Sequence, residues 1–177
     1  MQMLAAGGVQ CTGEAPSYED MHASGAVDSD WFAMQGGKAV KVLDPHRAEI
    51  PRNVPSLVIW LDRRASEQAK SIAKMLEELE GLPRLNHWQR KQLHTQLAAD
   101  TLKAIRSCHG LPTLVMQFEM ILAKPEESAT RIARHLREVA DLDILKMAAA
   151  VRPRSPLCAP DLSMEITLAN EARAAHE

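Results

Sequence analysis

Arg63 and Ser71 are the residues whose types and spacing point most directly to chemistry. They lie in LVIWLDRRASEQAKSIAKML, Leu57–Leu76, where an apolar run breaks into charge at Asp62-Arg63-Arg64 and a helical pattern follows at once. In open α/β sheets ligands bind outside the carboxyl ends of the strands. An arginine at such an end offers a fork of donors, and a serine just over two helical turns on offers one short donor. Together they can converge on one phosphate. Taken alone, the segment reads first as a solvated strand-end charge followed by a surface serine. Metal chemistry has weaker support. Cys108-His109 has no partner pair at zinc-ligand spacing, and His87 and His94 share a helix face without further ligands.

The elements that must position these residues follow from periodicity. Met1–Ala6 reads as helix ended by Gly7-Gly8, and a short helix near Asp28–Met34 is capped by Asp28 or Ser29. Ala39–Leu43 and Leu57–Leu61 read as strands. The second is almost continuously apolar, as in a parallel strand covered on both faces. Ser66–Glu80 is a helix with Ala69, Ile72, Ala73, Leu76 and Leu79 on one stripe. Asn86–Ser107 is a longer one, capped by Asn86, with Leu93, Leu97, Thr101, Ala104 and Ile105 inward. Leu114–Phe118 is a third strand, and Glu119 begins a turn before Pro125. Glu126–Ala140 and Leu142–Val151 are helical, Arg152–Pro160 is a Pro-rich loop, and Asp161 caps a terminal helix. The predicted class is α/β: a short, mainly parallel sheet flanked by helices in three layers, helix-rich, in a single domain over residues 1–177 with its end loosely attached.

Composition sets outer bounds. The chain has 177 residues, 46% of them hydrophobic, with a net charge of −2. A sizeable core is expected, and no basic excess points to nucleic acid. Cys11, Cys108 and Cys158 make no disulfide framework and suit a reducing compartment. No run approaches the ~20 apolar residues of a membrane span, and MQMLAAGGVQ lacks a basic n-region. A cytoplasmic protein with no membrane partner is expected.

Four stretches in order resemble the P-loop sulfotransferase family. MQMLAAGG, Met1–Gly8, is similar to the helix after the family's phosphosulfate-binding loop, written G-x-x-R-S-G-T-S and continuing M-x-x-M-L-x-x-G-G. GKAVKVLDPHRAEIP, Gly37–Pro51, resembles the next strand and its Pro-containing loop. Val58–Leu76 resembles the strand, arginine and helix that hold a 3′-phosphate. LVMQFEMILAKPEESATRIARHL, Leu114–Leu136, resembles v-x-[FY]-E-x-L-x-x-x-P-x-x-x-x-x-x-I-A-x-x-L. The resemblance implies a P-loop-type fold and sulfuryl transfer from 3′-phosphoadenosine 5′-phosphosulfate, the nucleotide co-substrate, to an unknown acceptor. It assigns Arg63 and Ser71 to the 3′-phosphate and Phe118 to the adenine or the core. Lys41, near the end of the first strand, goes to the sulfuryl oxygens or to solvent. Oligomeric state is left open.

The chain departs from the family in two ways. The phosphosulfate loop and the first strand are not in the sequence, which opens inside a helical pattern; the expectation is that the protein starts upstream of Met1. Without the loop the 5′-phosphosulfate has no cradle of backbone amides. Where many members carry a catalytic histidine in K-T-H-x-P, Lys41-Val42-Leu43-Asp44-Pro45 puts Leu43. His46, three residues on, and Asp44 are then the candidate bases. Arg152 and Arg154 stand at about the place of the family's R-K-G segment. Trp31-Phe32 and Trp88 line an acceptor pocket or cap the core. A transferase inactive as it stands is one reading; a non-catalytic relative that binds a nucleotide or a partner is the other.

Overall fold

The computed structural model describes residues 1–15, 18–20, 28–43, 45–79 and 85–152. The elements are α1 (Gln2–Ala6), α2 (Ser29–Ala33), β1 (Val58–Asp62), α3 (Ala65–Leu79), α4 (His87–Ser107), β2 (Thr113–Gln117), α5 (Phe118–Ala123), α6 (Pro125–Leu136) and α7 (Ile144–Ala149). The protein is mixed α/β, with about half of the described residues helical. Among the described residues, no helix is long and apolar enough to cross a membrane. The chain divides into two compact units. The first is Met1–Asp62 with Asp100–Arg152, and the second contains Arg63–Ala99. The division falls between Asp62 and Arg63, and again inside α4.

In the first unit β1 and β2 pair in parallel, from Val58 opposite Thr113 to Asp62 opposite Gln117. Side chains alternate across a strand, so Ile59, Leu61, Leu114 and Met116 share one face. Ile59, Leu114 and Met116 join the main core with Ile121, Ala129, Ile132, Leu136 and Met147. Met116 and Met147 are completely buried. Two parallel strands are marginal by themselves; this pair is held by α1, α5, α6 and α7, which pack on one another and onto β2. The opposite face is unevenly covered: Val58 and Trp60 of β1 are half-buried there, whereas Val115 of β2 is 53% exposed. The apolar run reads the same whether one face is covered or two.

The helix ends follow their sequence signals closely. Asp28 caps α2, its side chain accepting from the Trp31 amide at 2.9 Å. Asn86 and Gln89 close a reciprocal box at the start of α4, each side-chain oxygen accepting the other's amide at 2.9 Å. Gly110, at φ +82°, turns the chain after α4, a conformation open to glycine at little cost. Along α3, Ala69 and Ala73 are buried, as the stripe requires. Ile105 is corrected: it is 51% exposed, and the inner line of α4 runs instead through Ala104 to Cys108.

Other boundaries move. Ala39–Leu43 does not form a strand; only an isolated parallel bridge joins Cys11 to Ala39. Its β propensity finds no continuous ladder to pair with, and propensity alone does not make a strand. The β2 strand stops at Gln117, so Phe118 begins α5 and Glu119 lies in its first turn rather than in a loop. Helix α6 stops at Leu136, short of Ala140, because the amides of Val139 and Ala140 both turn back to the Leu136 carbonyl at 2.9 Å. Helix α7 begins at Ile144, where Asp143 accepts from the Lys146 amide at 3.0 Å. Asp44, most of the Pro-rich loop and the expected terminal helix, with Arg154 and Cys158, lie outside the described residues.

The Asp143 cap makes a pH prediction. Its carboxyl is held below the ordinary carboxylate range, first by the Lys146 amide and then by the Lys146 side chain, at 2.9 Å. A pKa depressed by folding stabilises the native state above the unfolded value, about 3.9 for aspartate, and this stabilisation is lost as pH falls through the folded value. Following the carboxyl carbon by NMR, the titration midpoint of Asp143 falls below that of free aspartate. Asp143→Asn removes this contribution to the acid sensitivity of α7. A midpoint at the free value contradicts the cap.

Candidate functional site

Arg63 is set by the junction on either side of it. Strand β1 ends at Asp62, and α3 begins at Ala65. The Arg64 carbonyl accepts from the amides of Glu67 and Gln68 at 2.9 and 3.0 Å, so the turn between strand and helix is short and hydrogen-bonded. Arg63 is half-buried and Arg64 exposed. Arg63 therefore stands just before a 15-residue helix whose N-terminal end favours anions. Ser71 is half-buried on that helix. Unlike Thr95 and Thr130, whose hydroxyls bond back to Lys91 and Glu126 at 3.0 and 2.8 Å, Ser71 makes no hydrogen bond among the described residues. Its hydroxyl is available to a ligand. Glu67, one turn before Ser71 on the same face, opposes an anion, but its carboxylate is engaged by Lys70 at 2.9 Å.

The remaining expected residues lie in the first unit, on other segments. Lys41 is in an irregular stretch, and its ammonium pairs with the Glu19 carboxylate. His46 is half-buried in a turn. That turn is fastened to the C-terminal end of α4: the Ser107 hydroxyl donates to the Pro45 carbonyl at 2.9 Å, and Arg52 donates to the carbonyls of Ser107, at 2.8 Å, and His109. A cation on the last carbonyls of a helix satisfies groups that have no helical partner. Phe118 is half-buried at the start of α5. Trp31 and Phe32 meet edge to face, with ring centroids 5.3 Å apart, and pack around Ala48 with Val42 and Ile50. They therefore cap a small core. Trp88 and the expected pair His87 and His94 are exposed. Comparison of the chain with family models, curated proteins and solved structures finds no match. Any function is then argued from these residues.

The structure brings Arg63 and Ser71 into one unit, on one strand-to-helix connection and its helix. It does not bring Lys41 or His46 into that unit. Among the described residues, no group of three His, Cys, Asp or Glu side chains could hold a metal ion. Two features escaped the reading of the sequence. Glu119, in the first turn of α5, has a buried Oε1 without a hydrogen-bond partner. Arg131, Arg134 and His135 line a groove with Leu114. Their helical spacing, i, i+3 and i+4, was visible; what stands opposite them was not.

Proposed function

We propose that this chain is a sulfotransferase-like protein whose strand–arginine–helix unit holds the 3′-phosphate of an adenosine 3′,5′-bisphosphate nucleotide. That moiety is common to 3′-phosphoadenosine 5′-phosphosulfate and to the product it leaves after transfer. The observation that carries the reading is Arg63 on the connection that leaves the carboxyl end of parallel strand β1 and enters α3. Ser71 supports it through a hydroxyl uncommitted among the described residues. From residue 65 to residue 71 the helix rises about 9 Å, a span that the long arginine side chain and the phosphate oxygens share. The reading implies a P-loop-type, three-layer fold in which β1 and β2 are two strands of a larger sheet.

A purely binding role is the second reading, and one observation favours it. Lys41, expected at the sulfuryl oxygens, is engaged by Glu19. An in-frame loop encoded upstream of Met1 favours transfer; its absence there favours binding alone.

The binding test is a calorimetric titration of the full chain with adenosine 3′,5′-bisphosphate and, separately, adenosine 5′-monophosphate. The bisphosphate saturates and the monophosphate binds more weakly. Arg63→Ala costs the bisphosphate about 1.5–3 kcal/mol, the range for a hydrogen bond to a charged group, and leaves the monophosphate nearly unchanged. Equal affinity for the two nucleotides in the wild type rejects a 3′-phosphate site.

A further inference from the structure

We propose that the groove between α6 and the outer edge of β2 is an oxyanion site for the phosphomonoester of a small molecule. It is independent of Arg63 and Ser71. The groove is open to solvent, has a volume of about 290 Å³ and is lined by Leu114, Arg131, Arg134 and His135. All four belong to the first unit.

The strand supplies one wall. The Val58 amide donates to the Pro112 carbonyl at 2.9 Å, so that carbonyl points toward β1. Backbone groups alternate sides along a strand, so the Val115 carbonyl points to the outer edge. The Arg131 guanidinium reaches that carbonyl at 3.5 Å. A contact so long is weak, and it leaves most of the guanidinium's five donors uncommitted. Arg131 thus stands over the outer edge of β2.

Helix α6 supplies the other wall. Ala129, Ile132 and Leu136 bury its inner stripe in the core. That fixes the helix's rotation and leaves residues 131, 134 and 135 together beside Leu114. Among the described residues no carboxylate lies within 4.0 Å of Arg131 or Arg134; the acidic groups nearby in sequence pair elsewhere, Glu127 with Lys124 at 3.0 Å and Glu138 with Arg137 at 3.9 Å. The Nε2 atom of His135 is buried and has no hydrogen-bond partner. An unsatisfied buried polar atom costs free energy, and because this one is shielded from solvent a ligand in the groove meets the ring rather than this nitrogen. Arg134 and His135 also oppose the dipole at the end of α6. That accounts for their charge. It does not account for their meeting Arg131 and Leu114 in one groove.

A phosphate accounts for that meeting. Its oxygens accept from the two guanidinium forks, while Leu114 faces the carbon part of the ester and the His135 ring lies beside them. The volume lies at the foot of the range for small-molecule sites, about 300–1,000 Å³.

The test is calorimetry and NMR on the full chain with glycerol 3-phosphate, inorganic phosphate and, as the uncharged arm, glycerol. Glycerol 3-phosphate saturates one site and shifts the His135 ring resonances, phosphate does so more weakly, and glycerol does neither. Phosphate binding as tightly as its ester points to the inorganic ion and overturns the claim for an ester. Arg131→Gln and Arg134→Gln each weaken the ester about tenfold or more, as expected for one charged hydrogen bond. Arg137→Gln, outside the groove, leaves the affinity unchanged. Arg63→Ala also leaves it unchanged, so this proposal and the nucleotide proposal fail separately. Absence of saturation by either anion overturns the site. So does binding that does not move the His135 ring, a result that needs no variant and so does not depend on how a variant folds.

Discussion

Replacing Met116 by alanine lowers the free energy of unfolding by about 2–5 kcal/mol, the range for deleting a large buried side chain. Met116 is 0% exposed and sits on the inner face of β2. Its neighbours in the core come from α5, α6 and α7: Ile121, Ala129, Ile132, Leu136 and Met147. Two losses add. The removed atoms no longer leave water on folding, and a cavity opens that a strand paired on one side cannot collapse to fill. Met116→Leu, nearly equal in volume, costs less than about 1.5 kcal/mol. Urea unfolding followed by circular dichroism reads both as a shift in midpoint at constant slope. A loss below 1 kcal/mol for Met116→Ala, on the same scale, means that β2 does not face the core.

Ile132→Ala has an effect of the same size, about 2–5 kcal/mol, and Ile132→Val only about 0.5–1.5 kcal/mol. Ile132 is 3% exposed at the middle of α6. It acts on the helix rather than on the sheet. With Ala129 and Leu136 it buries the inner face of α6, and that rotation leaves Arg131, next to it in sequence, over the Val115 carbonyl. Because Met116 and Ile132 share one cluster, the double alanine variant is not additive; the coupling is about 0.5–3 kcal/mol. Additivity within a few tenths of a kcal/mol is the result that separates the two residues and breaks the single core.

The proposed nucleotide contact and the proposed oxyanion groove differ in how far the sequence alone exposes them. Arg63 is local. An apolar run that breaks into charge and then into a helical period already places it between strand and helix, and the structure has it there. Ser71 is nearly as local, since its place depends on α3 alone. The groove is not local. Arg131, Arg134 and His135 share a face by period, but an identical face can look onto water. Only the burial of Ala129, Ile132 and Leu136 turns it toward Leu114.

The chain's local signals set what depends on neighbours a few residues away. Asp28, Asn86 and Gly110 mark helix boundaries because a cap bonds amides within its own first turn and a glycine turns without a Cβ. They also place Arg63 after a strand. The tertiary structure decided what depends on distant partners. Ala39–Leu43 has strand composition but keeps only a bridge to Cys11, because a strand exists only where a second one accepts its hydrogen bonds. Val115 belongs to an apolar run and yet lies half open, because the first unit's helices pack on the face of β2 that carries Met116. Propensity and period are properties of a segment. Pairing, coverage and convergence are properties of segments brought together, and no single stretch of sequence contains them.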